Sequence, residues 1–531
     1  MPTLNWIGKE AVVNHDKEVP FRLLRKVKSA SVGDNSQNLI IHGDNLEALK
    51  ALMPYYGGKV KCIYIDPPYN TGNENWVYND KVNSPKIKKW LGKVVGNQTA
   101  DLCRHDKWLC MMYPRLKLLK DLMSEDGVIF LSVDDNEVEN LKALLNEIFG
   151  KDAFVGQAVW YKKRKGSFLS KEFISLTEYI LIYRKDKKLS LFGGRPDSNE
   201  SQPLVKRTNN RSLLVFPANV ITTKLPDGIY SKGVYGKGSS AIELSEDVIV
   251  KKTVIVTQVK LIGPFVWSQN FLDEELLEGT KLVINTKNFQ PRAFRDSSEK
   301  FKGFPSYIDG REFSATNDDA YEDLIEIFGR EGTFNYSKPR NLIRFLINSK
   351  TFIDKDAIIL DSFAGSGTTG HAVLDLNKED GGNRKFILIE MEDKVAKDIT
   401  AERIKRAIKK YDYDDGFEYC ELSKPLFNEK GHIEEECDFD QFATYIYFTE
   451  TQTNIDRAKV DKNFIGELNE TEYYLIYKEK GKNILDKGFL KKLRDTKAKK
   501  VIYADNCTVD EKILDEYNIV FKQIPYEVKV Y

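Results

Sequence analysis

In two separate stretches of the chain, residues 37–189 and 319–412, apolar patterns typical of strands alternate with apolar patterns typical of helices. Short apolar runs bounded by turn-forming residues predict buried strands, and apolar residues at intervals of three and four predict amphipathic helices. The predicted strands are Asn38–Asp44, Cys62–Ile65, Val128–Val133, Phe154–Trp160, Tyr179–Tyr183, Ala357–Leu360 and Lys385–Glu390. The predicted helices are Asn45–Met53, Trp108–Met123, Val138–Ile148, Tyr321–Phe328 and Asn341–Ile347. This alternation predicts an α/β fold in which both stretches contribute to one sheet.

The remaining segments predict three additions to this α/β body. Residues 1–36 are polar and mixed, which predicts an N-terminal arm. Residues 190–318 lose helical periodicity and contain short β-like runs among glycine, serine and asparagine, so they predict a β-rich insertion. Residues 413–531 alternate strand-like and helical patterns and predict a small C-terminal α/β domain. A chain of 531 residues is long enough for several domains.

Net charge does not indicate a partner, because 81 basic residues balance 80 acidic ones to give +1. Binding of nucleic acid would need locally clustered charge. The six cysteines form no C-x-x-C pair, which indicates reduced thiols and a cytoplasmic location. Cys103, His105 and Cys110 lie close in sequence but lack a fourth ligand for zinc, so no metal is expected. Apolar runs are too short to cross a bilayer, so no membrane association is expected.

The most informative turn is Asp66-Pro67-Pro68-Tyr69, directly after the strand Cys62–Ile65. The two prolines fix their φ angles and remove N–H donors, so the Asp66 carboxylate is held in one direction in a stiff extended turn. Ligands bind at the carboxyl edge of such sheets. A carboxylate there can accept hydrogen bonds from a nucleobase amine and favour its attack on an electrophile, while Tyr69 stacks on the base. The alternative is a proline-rich turn whose tyrosine only packs.

A glycine-rich turn follows the late strand Ala357–Leu360, where Gly365-x-Gly367-x-x-Gly370 opens a helix. Gly365 and Gly367 permit positive φ and let a ligand approach the backbone closely. Glu390 ends the next strand, at the spacing of about 20 residues expected for a carboxylate that binds ribose hydroxyls. On this segment alone an NAD-dependent oxidoreductase is a serious alternative.

A dehydrogenase would have no use for the Asp66-Pro67-Pro68-Tyr69 turn, which counts against that alternative. S-adenosylmethionine has adenosine but no pyrophosphate, so it suits a nucleoside-binding loop beside an amine-binding site. A third class, a non-catalytic DNA-binding scaffold, would need neither the glycine loop nor the acidic turn.

Two basic segments are candidates for contact with DNA, with a solvated surface as the alternative for each. A hairpin-like loop after Trp160 and Tyr161 carries Lys162, Lys163, Arg164 and Lys165. The β-rich insertion carries basic residues interleaved with aromatic ones, among them Lys206, Arg207 and Arg211.

The order of these features resembles the beta class of DNA amino-methyltransferases, with the acidic turn early, the glycine loop late and a β-rich insertion between them. Within that class, several stretches resemble the modification (Mod) subunit of Type III restriction–modification systems. They are Asp66–Gly72, Tyr78-Asn79-Asp80, Gly127–Glu137, Thr177–Tyr183, Lys338-Pro339, Phe363–Gly370, and Val501–Cys507 with Ile524-Pro525-Tyr526.

The resemblance implies a Rossmann-like, circularly permuted, S-adenosylmethionine-dependent methyltransferase sheet. It also implies methyl transfer to N6 of a flipped-out adenine, because Asp in the first position of the turn goes mostly with adenine in that family. The catalytic turn would be Asp66, Pro67, Pro68 and Tyr69. The residues that would hold the cofactor are Phe363, Ala364, Gly365, Gly367, Thr368, Asp361, Glu390, Asp44 and Lys338.

The resemblance also assigns a role to each segment. The five segments would be an arm (1–36), a catalytic half (37–189), a target recognition domain (190–318), a cofactor-binding half (319–412) and an association domain (413–531). Members of the family bind double-stranded DNA, dimerise and partner an ATP-dependent restriction subunit. A stand-alone DNA methyltransferase, acting on adenine N6 or cytosine N4, is the alternative.

Overall fold

The computed structural model describes residues 4–33, 36–71, 102–166, 172–186, 189–194, 201–294, 301–428, 432–478 and 483–524. The chain forms two compact units, one made of Met1–Leu191 with Pro305–Tyr531 and the other of Phe192–Phe304. The Tyr78-Asn79-Asp80 motif lies outside the described residues.

A ten-stranded sheet is the centre of the larger unit. In chain order its strands are β1 Arg22–Lys26, β2 Leu39–His42, β3 Val60–Ile65, β4 Met123–Val133, β5 Phe154–Tyr161, β6 Thr177–Arg184, β7 Tyr307–Asp309, β8 Ile358–Asp361, β9 Lys385–Glu390 and β10 Glu418–Pro425. Across the sheet the order is β1-β10-β2-β9-β8-β3-β4-β6-β5-β7. The run from β10 to β4 is parallel. The late strands β8 and β9 therefore lie between the early strands β2 and β3, so both predicted stretches build one sheet.

Helices pack against this sheet, and those of the N-terminal half share its apolar core. Those of the main body are α1 Lys9–Val12, α2 His15–Glu18, α3 Asn45–Tyr56, α4 Leu102–Leu122, α5 Val138–Ile148, α6 Asn317–Phe328, α7 Arg340–Thr351, α8 Thr368–Asp380 and α9 Glu402–Tyr411. Leu49, Leu116 and Leu144 of the helices are fully buried with Ile63 and Ile129 of the strands. Burial of such side chains contributes about 1.5–3 kcal/mol each.

The two ends of the body differ from the sequence prediction. Residues predicted as an arm pack against the body, where Trp6 and Val12 are buried in the core, and Arg22–Lys26 pairs with Glu418–Pro425. Glu418–Pro425 lies in the range 413–531 that was predicted to form the C-terminal domain, yet this strand also pairs in parallel with Leu39–His42. The main sheet thus extends beyond residue 412, because polar side chains hide the strand pattern of this segment near the sheet edge.

Two helix ends also differ. The predicted helix Trp108–Met123 ends at Leu122 in α4, and the predicted strand Val128–Val133 begins earlier, at Met123, so it runs through Glu125-Asp126-Gly127. Asp134-Asp135-Asn136, just before the predicted helix Val138–Ile148, is typical of a helix cap, but these residues do not cap α5. Its N-cap is Glu137, which makes no side-chain capping bond, and Asp134 instead accepts a hydrogen bond from the Asn136 amide.

The smaller unit is a β-rich body with its own core, which includes the buried Phe216, Leu261 and Phe289. Its seven-stranded sheet contains, in sheet order, Gly228–Tyr230, Val248–Lys251, Val254–Ile255, Ile221–Thr222, Lys281–Val283, Arg292–Phe294 and Gln202–Pro203. Its four-stranded sheet contains Gly233–Tyr235, Ile242–Leu244, Val259–Gly263 and Ser212–Phe216. The expected absence of helices is wrong at Gln269–Leu277, a nine-residue helix capped by Ser268, because so short a helix carries little periodicity.

The C-terminal segment forms a small α/β layer within the larger unit. A four-stranded sheet contains Phe464–Leu468, Thr471–Leu475, Lys499–Ala504 and Ile519–Gln523, and Ile484–Leu485 pairs with Asn506–Cys507. The helices are Phe439–Thr451, Lys487–Leu490 and Glu511–Glu516. Asn454 donates to the carbonyls of Met53 and Pro54 in α3, at 3.1 and 2.9 Å, and so joins this layer to the body. Of the described helices, none is long and apolar enough to cross a membrane.

Candidate active site

Neighbouring parallel strands of the main sheet end in carboxylates at one edge. Glu390 ends β9, Asp361 ends β8 and Asp66 follows β3 directly, while Asp44 and Asp134 follow β2 and β4. The carboxyl ends of parallel strands meet at the same edge, which is where open α/β sheets bind ligands. The sheet order therefore brings the early acidic turn next to the late glycine loop.

The Asp66 carboxylate forms an ion pair with Lys338, a residue 272 positions away in sequence. The Lys338 ammonium donates to both oxygens, at 2.8 and 2.7 Å, and lies 4.7 Å from the centre of the Tyr69 ring. Burial raises the pKa of Asp66 above its usual range, although attraction to Lys338 opposes this shift. Lys338 was predicted as a cofactor ligand, and the structure places its ammonium against Asp66 and Tyr69 of the Asp66 turn.

Glu178 on β6 completes this cluster. It accepts hydrogen bonds from the Tyr69 hydroxyl at 3.0 Å and from Lys162 at 2.7 Å, and its carboxylate lies 3.6 Å from the Lys338 ammonium. Burial alone would raise the pKa of Glu178, but Lys338 and Lys162 outweigh it and lower the pKa. Glu178 therefore stays ionised and fixes the direction of the Tyr69 hydroxyl.

Residues of α4 and the residue that precedes α5 fix the Asp66 turn through hydrogen bonds. The buried indole of Trp108 donates to the Pro68 carbonyl at 2.7 Å. Asn70, whose φ of 58° is in the left-handed region, donates to the buried carboxylate of Glu137. Glu137 also contacts His105 Nδ1 at 2.7 Å. These contacts fix the exit of the turn, which the prolines alone do not determine.

The glycine loop between β8 and α8 is shaped by Glu390 and by two positive φ angles. Gly365 (φ 48°) donates its amide to Glu390 Oε2 at 2.8 Å, and Gly367 (φ 77°) precedes the helix. The other oxygen of Glu390 accepts from the amides of Met391 and Glu392. A Cβ at Gly370 would meet Ile404 and Leu388 at 3.0 Å, so the third glycine permits close packing of helix and strand.

Asp361 lies beneath this loop with both oxygens engaged. It accepts hydrogen bonds from the Phe363 amide at 3.0 Å and from the Thr369 hydroxyl at 2.5 Å. Burial raises the pKa of Asp361 to about 7, against these hydrogen bonds and with added repulsion from Asp66 and Glu390. Burial and these neighbouring carboxylates thus make the ionised form of Asp361 costly.

The remaining predicted cofactor residues lie at or beside the loop. Phe363 and Ala364 are buried. The Thr368 hydroxyl contacts the Ser366 hydroxyl at 3.0 Å and accepts from the buried Arg403 at 2.8 Å. Asp44 caps α3 through its Oδ1, which accepts from the amides of Leu46 and Glu47, and its other oxygen faces Arg115 at 3.4 Å. The geometry of Asp44 is accordingly that of a helix cap.

The predicted DNA-binding residues fall in both units. In the larger unit Lys162 points to Glu178, and Arg164 pairs with Asp319 and Glu322, while Lys165 is exposed. In the smaller unit Lys206 and Arg207 are exposed, and Arg211 donates to the carbonyls of Ala241 and Ile262. Lys163 is half-buried in the loop. Among the residues that the structure describes, no cluster of His, Cys, Asp or Glu side chains is arranged to hold a metal ion.

Comparison with known proteins identifies the class to which this fold and site belong. A sequence model of the DNA methylase family, which covers N6 and N4 methyltransferases, matches residues 60–402. That range contains both the Asp66 turn and the glycine loop, and it is well over half of the chain. The chain belongs to the DNA methylase family.

Within this family, the chain is similar to Type III Mod subunits. It is 30% identical over 487 residues to the EcoP15I Mod subunit of Escherichia coli, covering 81% of this chain and 72% of that protein. It is 33% identical over 388 residues to the StyLTI Mod subunit of Salmonella typhimurium, covering 70% of this chain but 54% of that protein. The Type II methyltransferase M.KpnI of Klebsiella pneumoniae is 29% identical over 380 residues, covering 70% of this chain and 85% of that protein. The oxidoreductase alternative finds no support in these similarities.

Proposed function

We propose that the protein transfers a methyl group from S-adenosylmethionine to the N6 amine of an adenine at a specific site in double-stranded DNA. The observation that carries this proposal is the Asp66-Pro67-Pro68-Tyr69 turn, which lies beside the glycine loop at one edge of one sheet. Family membership supplies the reaction class, and the acidic first residue of the turn favours adenine over cytosine.

The charges around the glycine loop fit S-adenosylmethionine better than a dinucleotide. Asp66, Asp361 and Glu390 are carboxylates whose pKa values burial raises. A ligand with a sulfonium and an ammonium would relieve the repulsion among them, whereas the pyrophosphate of NAD would increase it. In this assignment Phe363, Ala364, Gly365, Gly367 and Thr368 form the loop that faces the cofactor. Glu390, although it already accepts three backbone hydrogen bonds, has lone pairs left for ribose hydroxyls.

The catalytic turn would act on the amine of the target base. S-adenosylmethionine supplies an electrophilic methyl group. The Asp66 carboxylate accepts hydrogen bonds from the amine, favours its pyramidal form and takes the proton that the nitrogen loses once it is methylated. Burial raises the pKa of Asp66, which suits a proton acceptor. The Tyr69 ring, held through its hydroxyl by Glu178, would stack on the flipped base.

The partners follow from the printed names of the relatives. Because the EcoP15I and StyLTI proteins are Mod subunits of Type III enzymes, we propose that this chain is the modification and recognition subunit of such a system. It would act as a homodimer in the cytoplasm with an ATP-dependent restriction subunit. Residues 190–318 would read the DNA sequence with Lys206, Arg207 and Arg211, assisted by the loop at Lys162–Lys165. A stand-alone methyltransferase is the second candidate, favoured by the match to most of M.KpnI.

Transfer of labelled methyl groups tests the proposal. The purified protein is incubated with methyl-labelled S-adenosylmethionine and duplex DNA, and the DNA is digested to nucleosides. We expect the label in N6-methyldeoxyadenosine. Label only in N4-methyldeoxycytidine would overturn the choice of base, and no transfer by the folded protein would overturn the activity. Copurification of an ATPase–nuclease polypeptide would favour the Type III modification subunit over the stand-alone methyltransferase.

A further inference from the structure

Lys338 occupies the hydrogen-bonding positions that the target amine needs. Its ammonium donates to both oxygens of Asp66, at 2.8 and 2.7 Å. The side chain of Lys338 is 10% exposed and that of Asp66 21% exposed, so the pair is largely shielded from water. An amine that approaches Asp66 must therefore compete with this ammonium for the carboxylate oxygens.

A second buried carboxylate lies within reach of the same ammonium. Glu178 Oε2 is 3.6 Å from Lys338 Nζ, and the Glu178 side chain is 7% exposed. A shift of less than about 1 Å would bring this contact to hydrogen-bond length. Lys162 already pairs with the other oxygen of Glu178 at 2.7 Å, so two carboxylates and two ammonium groups balance in the cluster.

We propose that Lys338 is a displaceable cap on Asp66, and that Glu178 is the positioning residue which receives the Lys338 ammonium when the target amine reaches Asp66. This inference rests on the proposed function, because it assumes that Asp66 accepts the amine. It replaces a cofactor role for the Lys338 side chain with a role on the catalytic turn.

Electrostatics allow the ammonium to move between the two carboxylates. Burial alone would lower the pKa of Lys338, but Asp66 and Glu178 outweigh it and raise the pKa, so the ammonium stays charged. Glu178 also stays ionised, because Lys338 and Lys162 lower its pKa. At each position the cation is paired, so the large cost of an unpaired buried charge is avoided.

The cap selects for bases that present an amine. A base with an amine at this edge replaces the hydrogen bonds that Asp66 loses when Lys338 moves. A base that presents a carbonyl oxygen there offers no donor and faces Asp66 as an acceptor, so it leaves Lys338 in place. Discrimination would therefore begin at the turn itself, before the methyl group is transferred.

The test is whether removal of Lys338 rescues a Glu178 variant. In Glu178→Gln the amide oxygen can still accept from Tyr69, but the negative charge that attracts Lys338 is lost. We expect the single-turnover methylation rate at saturating S-adenosylmethionine to fall at least tenfold. In Glu178→Gln/Lys338→Met no ammonium is left on Asp66, so the rate should recover at least severalfold relative to Glu178→Gln at a pH of about 9, because high pH favours the ionised form of Asp66.

The pH profile of Lys338→Met gives a second, independent readout. Without the ammonium, the pKa of Asp66 should rise, and the rise of the methylation rate with pH should move to higher pH than in the wild type. Tyr64, Tyr69, Glu178 and Asp361 also face Asp66. Both tyrosines have raised pKa values and stay neutral. The low pKa of Glu178 depends on Lys338 and the pKa of Asp361 is about 7, so a shift that belongs to Asp66 must persist in Glu178→Gln/Lys338→Met and with Asp361→Asn added. Glu147→Gln, which removes a partly buried carboxylate from its 2.7 Å pair with Lys9 away from the site, is the matched control.

The possible outcomes separate this inference from the proposed function. A double variant no faster than Glu178→Gln, or a Glu178→Gln rate equal to the wild type, would overturn the displaceable cap. An unshifted pH profile of Lys338→Met would do the same without a Glu178 variant. A wild type that transfers no methyl group, or an active Asp66→Asn variant, would instead overturn the proposed function.

Discussion

Burial raises the pKa of several carboxyl groups at the sheet edge, and among them Asp361 has a pKa close to neutral pH. Burial raises its pKa to about 7, while Thr369 and the Phe363 amide oppose the shift. Close to pH 7 the residue is therefore divided between its neutral and ionised forms. A cationic ligand beside it would favour the ionised form, because opposite charges lower the pKa of an acid.

We therefore expect the affinity for S-adenosylmethionine to increase as the pH rises from about 6 to about 8. Below the pKa of Asp361, the carboxyl must lose a proton before it can attract the cationic ligand. Above this pKa the carboxyl is already ionised, so the affinity no longer increases with pH. The change should be severalfold, and at most about tenfold per pH unit for one group. Calorimetry at three pH values measures it. Asp361→Asn should remove the step, and a flat profile in the wild type would contradict the assignment.

Backbone geometry of the glycine loop gives a test at the scale of one element. Gly367 precedes α8 and Gly381 follows it, with φ angles of 77° and 65°. A Cβ at Gly367 would meet the Thr400 carbonyl at 3.1 Å, whereas a Cβ at Gly381 would meet nothing within 4 Å. Gly381→Ala should cost about 1 kcal/mol of stability through its φ alone and leave cofactor affinity unchanged.

Gly367→Ala should cost more stability than its matched control and weaken binding of S-adenosylmethionine at least tenfold. The added contact with Thr400 displaces the loop that Thr400 also holds through the Gly365 carbonyl. Thermal unfolding and calorimetry on both variants provide the comparison. Equal cofactor affinity in the two variants would show that the loop is not the binding element.

Local sequence patterns predicted the strands, the turn and the glycine loop well. They did not predict which side chains distant in sequence would contact one another. The strand, turn and glycine loop around Asp66 and Gly365 follow from apolar runs and turn residues that lie together in sequence. The partners of that turn do not: Tyr69 meets Glu178 across 109 residues and Asp66 meets Lys338 across 272. Trp108 looked like one more apolar position of a helix, although its indole holds the Pro68 carbonyl.

The inserted β-rich unit is the element proposed to determine which DNA sequence is methylated. It forms a compact body over Phe192–Phe304, whereas Tyr307–Asp309 is a strand of the main sheet. An exchange with a relative should therefore use 192–304 rather than the predicted 190–318. We expect the methylated sequence to change while the product stays N6-methyladenine, as judged by sequencing. An unchanged methylated sequence in an active hybrid would contradict this role.

At the scale of the whole molecule, we propose that the C-terminal layer mediates the expected dimerisation. A chain cut at the predicted boundary of residue 412 would lose Glu418–Pro425, a strand of the main sheet. A chain ending near Asp456 keeps that strand and the helix Phe439–Thr451, whose Tyr445 packs against Phe21 at 5.0 Å between ring centres. It removes the four-stranded sheet that follows, together with the paired strands Ile484–Leu485 and Asn506–Cys507 and the short helices Lys487–Leu490 and Glu511–Glu516.

We expect this shortened protein to be monomeric in light scattering and to bind DNA more weakly, because a dimer offers two binding surfaces to one DNA. Its thermal unfolding temperature shows whether the body remains folded. A shortened protein that stayed dimeric would place the interface in the methyltransferase body instead. The circular permutation implied by the family resemblance stays a prediction alongside this one.

Sequencing of DNA for modified bases, after expression in a host without methylation of its own, tests the central claim most directly. The wild type should produce N6-methyladenine at one recurring short sequence. Asp66→Asn, which keeps the size of the side chain but loses its charge, should reduce that modification at least about 100-fold. Unmodified DNA from cells with folded wild-type protein, N4-methylcytosine alone, or full methylation by Asp66→Asn would contradict the account.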